Sequence, residues 1–384
     1  MSTKGAPILE EIPLYGPKAG HSWSQRLHLD LPLLVGLLML SGVAFVVLYS
    51  AGGQKIEMVL RQAGRLGLAM SIMTAIAQIH PRHLRLYSPV LYLVGVLLLA
   101  AVLIFGETSL GATRWLNLGV VRFQPSEMVK LTMPMMIAWF LASQPMPPAL
   151  RHVLVAGTLI VVPTLMIAKQ PDLGTALLVF ASGWAVLFLA GLSWNYVLAL
   201  MVLGGSLLPV LWHFMHGYQR DRVLMFLNPE SDPLGRGYHI IQSKIAIGSG
   251  GIYGKGWLHG TQSHLDFLPE PSTDFVFAVL AEEFGLLGCM GLLAIYLFIM
   301  ARCFYIVVQA QDKFSRLLSG AMTVTFFVYV FVNIGMVIGI LPVVGVPLPL
   351  ISYGGTSMVT LLAGFGILMS IQTQRKLLPP LESP

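Results

Sequence analysis

Ten runs of apolar side chains, each near the length a helix needs to cross a bilayer, alternate along this chain with polar joints. A transmembrane helix takes about 20 such residues. The runs fall at roughly 31–51, 60–79, 87–106, 127–143, 152–168, 172–191, 195–214, 274–300, 317–341 and 355–372. The pattern predicts an all-α polytopic membrane protein of about ten transmembrane helices, with a long extracytoplasmic loop at about 215–273, between helices 7 and 8. Residues 31–372 then make one transmembrane domain, between polar tails at 1–30 and 373–384. The first tail lacks the short apolar core and small-residue cleavage site of a signal peptide.

Composition agrees. Of 384 residues 56% are hydrophobic and 10% charged, whereas a soluble domain carries about 25% charged residues. Lipid must therefore be the solvent for most of the surface. The formal net charge of +6 sits on Lys and Arg scattered between apolar runs. That distribution favours anionic lipid or a phosphate-bearing substrate over nucleic acid. Cys289 and Cys303 share one apolar run, about 21 Å apart along a helix, too far to bridge. Arg82, Arg85, Arg151, Arg302, Lys313, Arg316, Arg375 and Lys376 fall on one side when the N-terminus is cytoplasmic, which puts both termini inside. Three polar segments then face outward, at 107–127, 217–273 and 342–354.

The richest of these ends in Leu265–Glu283, with carboxylates at Asp266, Glu270, Asp274, Glu282 and Glu283. Pro269 and Pro271 keep the chain extended up to Ser272 and Thr273, both good helix caps. Asp274 is then expected in the first turn, where the helix dipole favours its ionised form. Two readings stand: a helix cap, or an anionic general base for a sugar hydroxyl. Glu282 and Glu283, two turns deeper, read as ion-paired groups. In the first segment Ser126 reads as a cap after Pro125, Glu127 and Lys130 share a helical face and can pair, and Arg114 and Arg122 stand ready for phosphate. The long loop adds Arg220, Arg222, Lys244 and Lys255, suited to lipid headgroups or to a diphosphate. Its Tyr238–Ile247 stretch spaces isoleucines as an amphipathic helix on the bilayer surface would. Gly248–Gly256 lacks phosphate-loop spacing and predicts tight turns. Lys169–Thr175 reads as a polar turn with a capped helix, or as part of a polar cavity. The segment 342–355 is too irregular to span, and at membrane depth needs protein or water around it.

Several of these segments together resemble the SEDS family (shape, elongation, division and sporulation). They are Phe123-Gln-Pro-Ser-Glu127, Gln170-Pro-Asp-Leu-Gly-Thr175, the stretch from Glu230 to Glu283, and Leu348-Pro-Leu-Ile-Ser-Tyr-Gly-Gly355. Gly256-Trp-Leu-His-Gly-Thr-Gln262 and Val343-Val-Gly-Val-Pro347 are more similar to its elongation branch than to its division branch. The resemblance covers nearly everything from Leu29 to Lys376. It implies a ten-helix peptidoglycan glycosyltransferase of the bacterial cytoplasmic membrane, working on the extracytoplasmic face. The substrate would be lipid II, the leaving group undecaprenyl diphosphate, and the partner a class B penicillin-binding protein.

The resemblance also makes Asp274 the essential acid of the family's Thr-Asp-Phe motif, and matches Arg122, Gln124, Glu127 and Lys130 to a conserved polar cluster. Ser272 departs from the His usual before that motif. On this reading Asp274 is the catalytic base, and Arg122, Gln124, Glu127, Lys130, Arg220, Arg222, Lys244 and Lys255 bind substrate. No metal site and no obligatory cofactor are expected, though a divalent cation would help a diphosphate leave. The competing readings are a lipid II flippase, for which Lys169, Asp172, Glu282 and Glu283 would form a polar path, and a non-catalytic scaffold for the penicillin-binding partner.

Overall fold

The computed structural model describes residues 27–109, 112–117, 122–214, 217, 220, 224, 238–264 and 271–374. Asp30 starts the first helix, α1 (Leu31–Ala51): its carboxylate accepts from the Leu33 N–H at 3.0 Å, and Pro32 fills the first turn. There follow α2 (Ile56–Ala77), α3 (Pro81–Phe105), a ribbon of β1 (Glu107–Ser109), β2 (Ala112–Asn117) and β3 (Arg122–Phe123), then α4 (Pro125–Ala142), α5 (Leu150–Lys169), α6 (Leu173–Leu189) and α7 (Trp194–Phe214). The long loop contains α8 (Tyr238–Gly250) and the short α9 (Thr261–His264). The chain ends with α10 (Val276–Gln309), α11 (Lys313–Val337) and α12 (Thr356–Thr373). The antiparallel ribbon has strand order β1-β2-β3.

Six helices, α1, α3, α5, α10, α11 and α12, are long and apolar enough to cross a membrane, and α6 and the first part of α7 are shorter apolar helices. The two others, α2 and α4, are diluted by polar side chains: Arg61, Gln62 and Arg65 in one, Glu127 and Lys130 in the other. α11 is largely enclosed, with Phe314, Leu318, Ala321 and Asn333 almost wholly buried. It packs against α4, α6 and α10, while α12 lies along α2 and α1 lies along α10. An aromatic core joins these layers, with Phe326 5.8 Å from Tyr296 and 5.2 Å from Phe365 between ring centres. At the opposite end from the polar loops, Arg302 grips Asp30 with two bonds of 2.9 and 2.6 Å and ties α10 to the start of α1. Both cysteines are free and buried in α10, as their spacing requires.

Four sequence expectations change in detail. α4 is capped by Gln124 rather than Ser126, because Pro125 occupies the first helical position and Ser126 follows it inside the helix. α10 is capped by the backbone of Phe275, so Ser272, Thr273 and Asp274 lie in the turn before it. α8 buries Ile240, Ser243, Ala246 and Gly250, a mostly small stripe, against α10, and leaves Ile245 exposed. Close packing against protein, rather than an isoleucine face toward lipid, therefore sets its position.

The fourth is a break in α10. Gly285 has φ +63°, outside the helical region, and the glycine turn after α8 fills the gap. The N–H groups of Lys255 and Gly256 donate to the Glu282 and Glu283 carbonyls, both at 3.0 Å. Leu286 and Leu287 donate back to the Gly251 and Ile252 carbonyls at 3.0 and 3.1 Å. Four backbone groups of α10 at the break thus find partners in the turn, as they must where water is scarce. The approach is so close that a Cβ on Gly250 would stand 2.0 Å from the Ala281 oxygen, and one on Gly254 2.1 Å from the Glu283 oxygen. Gly254→Ala is therefore expected to destabilise the protein by about 1–3 kcal/mol, read as a lowered unfolding midpoint in detergent. Gly248→Ala, where a Cβ meets open space, should leave the midpoint unchanged.

Candidate active site

Three consecutive carbonyls fix the turn that carries Asp274. The Ser272 oxygen accepts from the Tyr353 N–H at 2.8 Å, the Thr273 oxygen from the Ser352 hydroxyl at 2.6 Å, and the Asp274 oxygen from the Asn333 amide at 3.0 Å. Asn333, fully buried in α11, gives its other donor to the Val346 carbonyl at 2.7 Å. Ser352 accepts from the Leu348 N–H at 2.7 Å. The irregular 342–355 segment thus has its own fold, and its polar groups are spent on the Asp274 turn. Gly345, at φ +72°, faces the aspartate: a Cβ there would lie 3.5 Å from Asp274 Oδ2. On the other side, the ring of His239 in α8 sits 6.0 Å from that of Phe275.

A second group of polar residues meets at the same helix ends. Lys130 donates to Glu127 at 2.6 Å, and both are buried, at 6% and 7% exposure. The ammonium also stands 5.4 Å from the centre of the Tyr329 ring. Gln124 donates to Asp172 at 3.4 Å, and the Arg114 guanidinium lies 3.5 Å from the same oxygen and bonds the Pro171 carbonyl at 3.2 Å. The other Asp172 oxygen caps α6 through the Thr175 N–H at 3.2 Å. The Lys169–Thr175 stretch is thus both the capped turn and a wall of the polar cluster. Tyr329 and Asn333 are one turn apart on α11, about 6 Å along its axis. One face of one helix therefore joins the buried ion pair to the Asp274 turn.

The family model described as "Cell cycle protein", covering FtsW, RodA and SpoVE, matches residues 23–377. The chain belongs to this family. It is 55% identical to the peptidoglycan glycosyltransferase MrdB of Escherichia coli strain K12, over 92% of this chain and 96% of the relative. Among solved structures it is similar to a chain from a study of structural coordination of polymerization and crosslinking by a peptidoglycan synthase complex, with TM-score 0.78 and 35% identity, over 89% of this chain and 97% of that one. It is also similar to the rod-shape-determining protein RodA of Thermus thermophilus, with TM-score 0.68 and 29% identity, over 89% of this chain and 96% of that one. The elongation-branch resemblance of the sequence is thereby upheld.

For this FtsW/RodA/SpoVE chain, the residues singled out in the sequence divide. Gln124, Glu127, Lys130 and Asp274 come together around α11. Arg122 lies in β3, its backbone paired with Asn117 just before that cluster, and its side chain is outside the described residues, as are Arg222, Asp266 and Glu270. Arg220 is used to cap α7, through the Trp212 and His213 carbonyls at 2.8 and 2.5 Å. Lys244 is exposed on α8, its stem against Gly339. Lys255 is held by Glu282 at 2.7 Å and by the Thr261 hydroxyl at 2.7 Å. Glu282 also accepts from the Thr261 and Gln262 N–H groups at 2.8 and 3.0 Å, and Glu283 accepts from Ser50 of α1. The ion-paired reading of Glu282 therefore holds, and its partner is Lys255, which the sequence places among the substrate-binding candidates.

The residues missed were Asn333, Ser352, Tyr353 and Tyr329. A lone asparagine inside an apolar run was the available signal, since a buried amide at membrane depth needs a reason. Among the described residues no three His, Cys, Asp or Glu side chains gather as a metal site. The buried Glu127–Lys130 pair yields a direct test. Removing one partner strands a charge and costs about 3–5 kcal/mol, whereas an apolar replacement of both is near neutral. Lys130→Met should sharply lower the unfolding midpoint, and adding Glu127→Leu should restore most of it.

Proposed function

We propose that this chain is a peptidoglycan glycosyltransferase of the elongation branch, polymerising lipid II into glycan strands for rod-shape maintenance. The observation that carries the reading is the placement of Asp274: its turn is bound through three successive carbonyls, and its carboxylate faces bare backbone at Gly345. A base fixed in this way loses little orientation freedom on the way to the transition state. In the proposed reaction Asp274 takes the proton of the acceptor N-acetylglucosamine 4-hydroxyl. The oxygen attacks the anomeric carbon of the donor N-acetylmuramic acid. The bond to the diphosphate breaks, undecaprenyl diphosphate departs with the electron pair, and the α linkage becomes β.

Negative charge builds on the diphosphate as it leaves and needs cations in place beforehand. Arg122, Arg222 and Lys244 remain the candidates, with Gln124 orienting the sugar edge. Lys130 serves at most through Tyr329, because Glu127 already neutralises it. Arg220 and Lys255 drop behind the others, since both are engaged elsewhere. No cofactor is invoked. The fold is read as ten spans with both termini cytoplasmic and this site outside, and a class B penicillin-binding protein as the cross-linking partner. The flippase alternative loses support because Glu282 and Glu283 are bound into the α10 break rather than lining a path.

Lipid II polymerisation by the purified protein with its penicillin-binding partner, in liposomes, tests the proposal. Asp274→Asn should lose about 10²–10⁴-fold in rate, the usual contribution of a general base, while its unfolding midpoint stays near wild type. Wild-type protein that yields no polymer, or an Asp274→Asn variant that polymerises normally, refutes it.

A further inference from the structure

α2 carries charge where a membrane helix should not. Glu57, Arg61 and Arg65 repeat every four residues and so share one face. Arg61 is paired with Glu57 at 3.2 Å, in the open. Arg65 is different: it lies about 13 Å along the helix from Ile56, near the middle of α2, and no carboxylate lies within ion-pair reach among the described residues. Its guanidinium instead stands 4.5 Å from the centre of the Tyr353 ring. Its stem passes Gly355, where a Cβ would lie 3.5 Å from Arg65 Cδ. A cation at membrane depth without a counter-charge marks a site for an anion.

That anion must lie beside the Asp274 turn. Tyr353, which carries the guanidinium on its ring, donates its own N–H to the Ser272 carbonyl, two residues from Asp274. Gln62 of α2 locks the same loop, donating to the Ser352 carbonyl at 3.3 Å and accepting from the Gly354 N–H at 3.4 Å. A cleft of about 500 Å³ opens beside it, between Gln54 and Lys55 just before α2, Glu57 and Arg61 on α2, and Tyr353 on the loop. Its wall carries the cations Lys55 and Arg61 and the acid Glu57, and Arg65 follows one turn further along the same face of α2.

Resting on the glycosyltransferase reading above, we propose that Arg65, stacked on Tyr353 and with Lys55 in the neighbouring cleft, binds the diphosphate of the polyprenyl-linked donor sugar. An inverting displacement needs base and leaving group on opposite sides of the anomeric carbon. Arg65 is joined to the Asp274 turn through Tyr353, whose ring carries the guanidinium and whose N–H binds the Ser272 carbonyl. The cation at Lys130 is cancelled by Glu127, whereas that at Arg65 is uncancelled, and an arginine fork suits two phosphate oxygens at once. The helix face leaves room for the polyprenyl chain to enter from the bilayer, along the exposed Ile56 and Leu60.

A lipid-borne phosphate reaches this face from two sources, the carrier diphosphate and an anionic phospholipid headgroup, and binding experiments separate them. Purified protein in detergent would be titrated with undecaprenyl diphosphate and, separately, with phosphatidylglycerol, using wild type, Arg65→Gln and Arg65→Lys. The expected result is at least about a tenfold loss of undecaprenyl diphosphate affinity in Arg65→Gln, a smaller loss in Arg65→Lys, and unchanged phosphatidylglycerol binding. The lipid II kcat/KM should fall by a similar factor. Unchanged diphosphate affinity in folded Arg65→Gln overturns the inference, and so does a parallel loss for phosphatidylglycerol. Should Arg65→Gln not fold, Arg65→Lys decides alone, an undiminished affinity again counting against it. Wild-type protein that binds the diphosphate through Arg65 yet makes no polymer upholds this site and refutes the glycosyltransferase reading instead.

Discussion

Three neighbouring carbonyl oxygens, those of Ser272, Thr273 and Asp274, are each bound by a different donor from elsewhere in the chain. A turn at the mouth of a membrane helix would otherwise leave these groups to whatever water reaches them, at a cost in free energy and in order. Here α11 supplies one donor and the 342–355 segment two. The same segment takes its own shape from Asn333 and Ser352, so turn and loop specify each other. The rest of the site is hung on this arrangement. α11 carries Tyr329 one turn from Asn333 and so sets the distance to the Glu127–Lys130 pair. Tyr353 reaches from the loop to Arg65 on α2.

The acids of the 265–283 stretch that the structure describes meet different fates, for physical reasons. Glu282 and Glu283 fall within α10 next to its break, where Glu282 accepts from Lys255 and from the Thr261 and Gln262 N–H groups and Glu283 accepts from Ser50. The Glu282 carboxylate is tolerable at that depth because an ammonium and several hydrogen bonds replace its hydration. The two residues bind the glycine turn and α1 to α10 and so hold α8 in place. Asp274 lies before the helix, on backbone that is held while its carboxylate faces the main chain of Gly345. Carboxylates of one segment thus sit in different surroundings two turns of helix apart.

Much of this was legible in the chain. Apolar runs locate the long helices to within a few residues, because lipid demands continuous apolar length. The exceptions are instructive. α10 continues to Gln309, beyond the run ending at 300, since its far end packs against protein and tolerates Arg302 through Asp30. The Glu127–Lys130 pair follows from spacing alone. Lys255 did not, because its partner is 27 residues away and joins it only once the glycine turn enters the α10 break. Asn333, Ser352 and Tyr353 act through backbone contacts with distant residues, which leave no local pattern. The ribbon of β1 to β3 is similarly silent, being two to six residues per strand.

On the proposed mechanism, the carbonyl clamp orients Asp274 for catalysis. The most direct measurement is the steady-state rate of lipid II polymerisation by Asn333→Ala, with Asp274 intact and at a temperature where the variant is fully folded. The clamp account predicts that kcat falls about tenfold or more with little change in KM, since a hydrogen bond that holds a reacting group acts on geometry rather than on substrate affinity. Wild-type kcat in folded Asn333→Ala would contradict it.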